Sequence, residues 1–100
     1  MKKEFKVIAD LLPKNVSVLD VGCGDGSLIN LLIKEKNIKA RGLEIKEEYV
    51  KKCISKGLSV IEGDAETELH QFPNQSFDFV ILSQTLQAFY NPEKVLKDLL

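Results

Sequence analysis

A glycine-rich loop between a predicted strand and a predicted helix is the feature that most restricts what this chain can fold into. Residues 16–21 are a short run rich in valine, and Gly22-Cys23-Gly24-Asp25-Gly26 follows it directly. Apolar residues over 28–33 then predict a helix, with Asp25 or Ser27 near its start as a capping residue. Glycine lets a chain turn tightly and approach a ligand closely, so this strand–loop–helix unit predicts a binding site as well as a fold.

Helices and strands alternate along the rest of the chain. Further helices are predicted over residues 3–12 and 46–56, and further strands over 39–45, 58–62 and 77–82. Residues 65–76 form a polar loop in this interpretation, with or without one helical turn. Residues 85–89 form a short helix or turn, and Asn91-Pro92 begins another helix. Strands that alternate with helices imply βαβ units, so the sequence predicts an α/β fold with a mainly parallel sheet and flanking helices.

Composition places the chain among globular domains. Its 100 residues correspond to one domain or part of one, on a prior of roughly 100–200 residues per domain. With 44% hydrophobic and 29% charged residues, it has the apolar content to bury a core, which excludes a disordered chain. The net charge of −1 gives no general attraction to nucleic acid or to anionic membranes, and no apolar run is long enough to span a bilayer. We therefore expect neither as a partner.

Cysteine and histidine are scarce in this chain. Cys23, Cys53 and His70 are too few to build a zinc site by themselves, so no metal is expected. The lysine-rich N-terminus is amphipathic and does not have the continuous apolar stretch of a secretory signal, which predicts reduced thiols and a cytoplasmic location. Cys53 lies on the apolar face of its predicted helix, where core packing is its expected role. His70 is expected to be a loop residue.

The acid that ends the first strand narrows the choice of ligand. A dinucleotide fingerprint is Gly-x-Gly-x-x-Gly, but here the third glycine comes one residue early, at Gly26, and Ser27 stands in its place. Asp20 would repel a pyrophosphate and would attract a ligand that carries an ammonium and a sulfonium. S-adenosylmethionine has both groups, and its carboxylate could accept from N–H groups of the loop.

Two more acids fit the same ligand. Glu44 ends the second predicted strand, where a carboxylate can accept hydrogen bonds from both ribose hydroxyls. Asp64 follows the third strand and could accept from the adenine amino group, while the N–H of Ala65 meets a ring nitrogen. Each acid alone could be an ordinary strand-end residue, and Asp20 could simply cap the loop. Together with the three loop glycines, they indicate a site at the carboxyl edge of the sheet.

On these residues the chain resembles the class I S-adenosylmethionine-dependent methyltransferases. The loop over 18–26, Glu44, Gly63-Asp64-Ala65 and the apolar strand over 77–82 occur in that family's order. A narrower resemblance, carried by residues 55–64 and 72–88 with their Ser-Gln-Thr-Leu-Gln segment, is to the bacterial methionine-biosynthesis MetW family. It implies a Rossmann-like methyltransferase fold and a cytosolic, methyltransferase-like protein associated with homoserine O-acyltransferase.

The expected cofactor-binding residues come from four segments of the chain. They are Asp20, Gly22, Cys23, Gly24, Gly26, Glu44, Ile45, Asp64, Ala65 and Ser83. Transfer of a methyl group from a sulfonium requires alignment more than a catalytic side chain, so no catalytic residue is assigned. Gln84, Gln87 and Tyr90 follow the fourth strand and are candidates for contacts with the methyl acceptor, or for structural roles.

Two other functions remain open on the sequence. A regulatory module could use the cofactor, or the fold alone, to control a homoserine O-acyltransferase. A nicotinamide-dependent oxidoreductase is disfavoured by Asp20 and by the glycine spacing. The stretch Ser83-Gln84-Thr85-Leu86 also lacks the Asn/Asp-Pro-Pro-Tyr/Phe motif of the amino-methylating DNA and glutamine enzymes.

The length itself carries an expectation. A class I sheet has seven strands and only four are predicted here, so residues 1–100 are expected to form one cofactor-binding domain that is incomplete at its C-terminal end. The strand over 77–82 would then have an exposed apolar edge. The expected remedy is pairing with another chain, as in a homo-oligomer, or a longer natural protein.

Overall fold

The sheet and helices are taken from a computed structural model that describes residues 3–68, 77–83 and 87–90. The helices are α1 (Lys3–Leu11), α2 (Ser27–Lys36), α3 (Glu47–Ser55) and the short α4 (Ala65–Glu68). The strands are β1 (Ser17–Val21), β2 (Lys39–Glu44), β3 (Val60–Glu62), β4 (Phe79–Leu82) and β5 (Gln87–Tyr90). None of the helices in these ranges combines the length and the apolar character that crossing a membrane requires.

The five strands form one sheet in the order β3-β2-β1-β4-β5. Strand β1 lies at its centre and pairs in parallel with β2 on one side and β4 on the other, with Leu19 opposite Arg41 and Val80. Strand β3 extends the parallel part beyond β2. Because the chain leaves β1 toward β2 and later returns to β4 on the opposite side, the strand order reverses at β1. In open α/β sheets, ligands bind at the carboxyl ends of the strands at such a reversal.

One segment folds differently from its sequence-based prediction. Residues 85–89 were expected to form a short helix or turn, but Gln87–Tyr90 is a strand that pairs antiparallel with β4, with Phe79 opposite Tyr90. A four-residue segment has weak local preference, and Phe89 and Tyr90 are good strand formers, so the unpaired edge of β4 decides its conformation. The expectation that β4 exposes an apolar edge is therefore wrong, because β5 covers that edge. The helix predicted from Asn91 lies outside the described residues.

Alternate residues of β1 pack on opposite faces of the sheet. Val18 faces a large apolar cluster built with α1 and α2, which includes Ile8, Leu28 and Ile29. Leu19 faces a smaller cluster with side chains from β2 and β4. Fully buried on both faces, β1 is a rigid base for the loop that follows it.

A close contact between helix and sheet at Gly42 in β2 gives a first prediction. A Cβ at this position would lie 2.6 Å from Cys23 Sγ, 2.7 Å from Ile29 Cδ1 and 3.0 Å from Val60 Cγ2. Gly42→Ala is therefore expected to lower the free energy of unfolding by about 1–3 kcal/mol, the usual effect of an extra methyl group in a packed core. Urea denaturation measures this, and the control Ser59→Ala, at an exposed side chain nearby, should change it by no more than about 0.5 kcal/mol.

A candidate cofactor cleft at the carboxyl edge of the sheet

A cleft of about 650 Å³ opens where β1, β2 and β4 end. It lies between the β1–α2 loop, the turn from β2 into α3, helix α1 and the residue that follows β4. Its lining residues are Phe5, Gly22, Cys23, Gly24, Asp25, Ser27, Glu44, Ile45, Lys46, Tyr49 and Ser83. Six of the ten residues expected to bind a cofactor therefore line a single cavity, although they come from three separate parts of the chain.

The glycines of the β1–α2 loop adopt backbone conformations that other residues avoid. Gly24 has a φ of 58° in open space, with nothing within 4 Å of an added Cβ, so its role is conformational. Gly26 has a φ of 82° and also lies against α3, since a Cβ there would be 2.5 Å from Leu58 Cδ1 and 2.9 Å from Cys53 Sγ. The loop thus needs glycine at Gly26 for packing as well as for its turn.

The N–H groups of Gly22, Cys23 and Gly26 in this loop already have acceptors in the chain. The N–H groups of Gly22 and Cys23 both donate to the carbonyl of Leu43 in β2, over 2.8 Å and 3.2 Å. The Gly26 N–H donates to the Cys23 carbonyl over 3.1 Å. The sequence suggested that loop N–H groups could receive a ligand carboxylate, but in the structure these three bonds fix the loop to its neighbours.

Both carboxylate oxygens of Glu44 accept hydrogen bonds from backbone N–H groups. Its Oε1 accepts from the Gly24 N–H over 2.8 Å and its Oε2 from the Lys46 N–H over 2.9 Å. The residue is only 6% exposed, so its orientation is fixed. A carboxylate has about four acceptor positions, and these two bonds leave each oxygen with capacity for one more donor. Glu44 can therefore receive two neighbouring hydroxyl groups without losing its hold on the loop.

Asp20 lies fully buried beneath the loop. Its Oδ1 accepts from the hydroxyl of Ser83, whereas its Oδ2 has no hydrogen-bond partner among the described residues. Burial raises the pKa of Asp20 to about 7; the Ser83 hydrogen bond opposes this shift and the charge of Glu44 adds to it. An unpartnered buried carboxylate oxygen is costly, so this position favours a ligand that brings a donor or a positive charge.

Of the three predicted acids only Glu44 lines the cleft, because Asp20 is buried beneath the loop and Asp64 lies outside the lining. Asp64 is exposed after β3, and its Oδ1 accepts from the Thr67 N–H over 3.3 Å, which caps the short helix α4. Ala65 is the first residue of that helix. The nearby Gly63 N–H donates to the backbone carbonyl of Glu44 over 3.0 Å, so this segment is tied to the end of β2.

The cleft also contains residues that the sequence did not assign to it. Asp25 and Ser27 were expected only as helix caps, but the N-cap residue of α2 is Gly26. Asp25 Oδ1 instead accepts from both the N–H and the hydroxyl of Ser27, the first residue of α2, over 3.1 Å and 2.6 Å. Lys46 and Tyr49 directly follow Glu44, and the Lys46 ammonium lies 5.6 Å from the Tyr49 ring centroid. Their closeness to Glu44 in sequence is a usable signal. Phe5 comes from α1, and only the packing of that helix brings it to the cleft.

Both cysteines have buried side chains, Cys23 in the loop itself and Cys53 in α3 behind it. The Cys53 Sγ donates to the carbonyl of Gly24 over 3.3 Å, and the Cys23 Sγ donates to the same oxygen over 3.8 Å. Burial raises the pKa of each thiol, so both are protonated at neutral pH. The predicted packing role of Cys53 is confirmed, with the added contact to the loop.

Some predicted residues cannot be assigned to the cleft. His70 and Gln84 lie outside the described residues, and so does part of the Ser-Gln-Thr-Leu-Gln segment. Gln87 and Tyr90 are the two ends of β5. The predicted acceptor contacts of Gln84, Gln87 and Tyr90 therefore stay predictions.

Sequence comparison relates the chain to proteins of methionine biosynthesis. The profile of the family described as methionine biosynthesis protein MetW matches residues 2–100. A bifunctional methionine biosynthesis protein MetXA/MetW from Rhodopirellula baltica is 32% identical over 101 residues. That alignment covers 93% of this chain but only 16% of the relative, so the chain spans a small part of the relative's length.

Structure comparison identifies the same kind of fold. A SAM dependent methyltransferase from Archaeoglobus fulgidus matches with a TM-score of 0.62 and 32% identity, over 79% of this chain and 38% of the other. The methyltransferase in the Haloferax volcanii complex with the activator Trm112 matches with a TM-score of 0.66 and 25% identity, over 77% and 36% of the two chains. These similarities confirm the predicted Rossmann-like methyltransferase fold.

Proposed function

The chain belongs to the family of the methionine biosynthesis protein MetW, and on that premise we propose that its cleft binds S-adenosylmethionine for transfer of the methyl group. The observation that carries the proposal is the pair of buried carboxylates, Asp20 and Glu44, at the ends of neighbouring strands. A positively charged amino acid moiety and a ribose diol are the two groups that these acids suit.

Asp20 is the proposed partner of the cofactor ammonium, although its side chain is buried and only its neighbour Ser83 reaches the cleft lining. Its Oδ2 is buried and unpartnered within the described part of the chain, and Ser83, which holds Oδ1, lines the cleft. A cation beside this oxygen would supply the missing donor and would stabilise the charge of the buried carboxylate.

Glu44 receives the ribose hydroxyls. Backbone N–H groups on either side hold its two oxygens in place, so the acceptors are oriented before the ligand arrives. We assign the neighbouring Ile45, 65% exposed, as apolar surface for the adenine ring. Asp64 and the N–H of Ala65 stay as proposed partners of the adenine edge.

The glycines of the loop allow the cofactor to approach the backbone closely, but their N–H groups are not its main hydrogen-bond donors. Because the N–H groups of Gly22, Cys23 and Gly26 donate within the chain, a cofactor carboxylate or a pyrophosphate would gain little from them. A pyrophosphate would also approach the charge of Asp20. The occupied N–H groups disfavour both anions alike, so it is the charge of Asp20 that favours S-adenosylmethionine over a nicotinamide dinucleotide as the ligand.

When bound, S-adenosylmethionine supplies a methyl group on a sulfonium, which is a good leaving group. The residues of this chain would bind it, orient it and exclude water, and those roles account for most of the catalysis of an in-line displacement. Ser83 would orient Asp20 through its hydroxyl. We propose Gln84, Gln87 and Tyr90 as contacts for the methyl acceptor.

A second candidate function is regulation of a homoserine O-acyltransferase. It is favoured by the relative in which MetXA and MetW form one bifunctional protein. In that case the chain would act in the cytoplasm as a partner of the acyltransferase, alone or as a homo-oligomer, and would turn over no acceptor. Copurification with the acyltransferase, with no methyl transfer in its presence, would favour this role.

Isothermal titration calorimetry tests the proposed ligand. We expect S-adenosylmethionine and S-adenosylhomocysteine to bind with one site each, because both carry the ammonium and the ribose diol. NADH should give no binding heat at the same concentrations. Binding of NADH in place of the sulfur nucleotides would overturn the assignment of the cleft.

A further inference from the structure

The two cysteines of the chain, thirty residues apart, meet at one backbone oxygen. Both thiols contact the carbonyl of Gly24, Cys53 at 3.3 Å and Cys23 at 3.8 Å. Each thiol also affects the pKa of the other, because both lie beside that oxygen. Cys23 belongs to the loop and lines the cleft, whereas Cys53 is fully buried in α3. The pair therefore joins the cleft wall to the helix behind it.

We propose that Cys23 and Cys53 form a dithiol that closes to a disulfide by exchange with a low-molecular-weight disulfide, and that the closed form weakens binding in the cleft. The second half of this proposal rests on the proposed cofactor function. The first half does not.

Gly24 couples the dithiol to the cleft. Its carbonyl accepts from both thiols, and its N–H holds Glu44 Oε1 at 2.8 Å. A disulfide has no S–H, so the carbonyl loses both donors when the bond forms. The two sulfur atoms must also come into covalent contact beside that oxygen, which displaces the Gly24 peptide. The N–H that orients Glu44 then moves with it.

The exchange balances without any further reactant. The Cys23 thiol loses its proton, and its sulfur attacks one sulfur of the small disulfide, which releases one small thiol. The Cys53 sulfur then loses its proton and attacks Cys23 Sγ, which releases the second small thiol. One Cys23–Cys53 bond forms and one small disulfide bond breaks, so the protein loses two hydrogen atoms and the small disulfide gains them.

Exposure decides the order of these steps. Cys23 has a face toward the cleft, so its sulfur is the first to attack the small disulfide, while Cys53 can react only with the mixed disulfide already at Cys23. Because burial raises the pKa of both thiols, little thiolate is present and the exchange is slow. A ligand in the cleft would cover Cys23 and slow it further.

Incubation of the folded chain with oxidised glutathione tests whether Cys23 and Cys53 close to a disulfide. We expect a product that has lost the mass of two hydrogen atoms, carries no glutathione, resists alkylation at both cysteines and reverts with dithiothreitol. Cys23→Ser and Cys53→Ser are the matched controls, and neither should give this product. A folded wild-type chain that stays reduced, or that stops at a glutathione adduct on Cys23, would overturn the proposal.

Calorimetry with S-adenosylhomocysteine on the reduced and oxidised chains tests whether the closed form binds more weakly in the cleft. The oxidised chain is expected to bind about tenfold more weakly, within the usual range of coupling between two sites. By reciprocity, S-adenosylhomocysteine should shift the exchange equilibrium toward the reduced chain by the same factor. Equal affinity of the two forms would refute the coupling. A reduced chain that fails to bind S-adenosylhomocysteine would refute the cofactor function instead, and the mass measurement would still decide the dithiol.

Discussion

Glu44→Gln is expected to weaken binding of S-adenosylhomocysteine by about 10- to 100-fold, since hydrogen bonds to a charged group each contribute about 1.5–3 kcal/mol. The amide keeps one acceptor oxygen and replaces the other by a donor. One of the two backbone N–H groups that hold Glu44, from Gly24 and Lys46, would then face a donor. The substitution weakens the ribose contact and also disturbs the orientation of the side chain. Calorimetry at one pH measures the loss of affinity that the two effects produce together.

The matched control is Glu47→Gln, three residues further along the chain. Glu47 is exposed, and its Oε1 forms an ion pair with Lys51 Nζ over 3.1 Å on the surface of α3. The affinity of the Glu47→Gln chain for S-adenosylhomocysteine should equal that of the wild type. Circular dichroism and thermal unfolding should show that Glu44→Gln is folded at the assay temperature. A folded Glu44→Gln chain with wild-type affinity would remove Glu44 from the proposed site.

Asp20→Asn is expected to remove a pH dependence of cofactor binding. The pKa of Asp20 in the free chain is raised to about 7, mainly by burial, and the ammonium of the cofactor would favour the ionised form. Affinity for S-adenosylhomocysteine should therefore rise as pH increases through about 7, with release of a proton on binding below that pH. In Asp20→Asn the affinity should be lower and flat across this pH range.

A choice of ligands separates this effect from damage to the fold. Methylthioadenosine has the adenosine part of the cofactor but no ammonium, so its affinity should be the same in wild type and Asp20→Asn and independent of the charge of Asp20. Titrations in buffers of different ionisation enthalpy count the protons released. An Asp20→Asn chain that keeps the pH dependence for S-adenosylhomocysteine would show that another group causes it.

The sequence was sufficient for the fold class because its signals are local. Valines before the glycine loop, apolar residues at helical spacing and acids at strand ends each predict one element or one position, and β1, α2 and β2 follow from them. Strand β5 was not predictable from such local signals. Its conformation depends on the free edge of β4, which lies outside the segment itself, and no property of Gln87–Tyr90 alone indicates that partner.

The positions of two acids were predictable from the sequence, but their hydrogen bonds were not. Asp20 and Glu44 lie near the ends of neighbouring strands, as expected, because the carboxyl ends of parallel strands meet at one edge of the sheet. The donors that hold Glu44 are backbone N–H groups, which every residue has, so side-chain type could not identify them. For Asp64 the side-chain type was recognised but its role was ambiguous. A carboxylate that precedes a short helix can cap that helix as well as bind a ligand.

The hydrogen bond from Gly24 to Glu44 also bears on how fast a ligand can bind. It joins the loop after β1 to the acid that ends β2, so folding of the sheet brings both into their final positions. The entropy lost in ordering a loop is then part of folding and does not oppose association. A ligand meets a wall that is already rigid on this side, and its association rate should be set by diffusion into the open cleft instead of by loop closure.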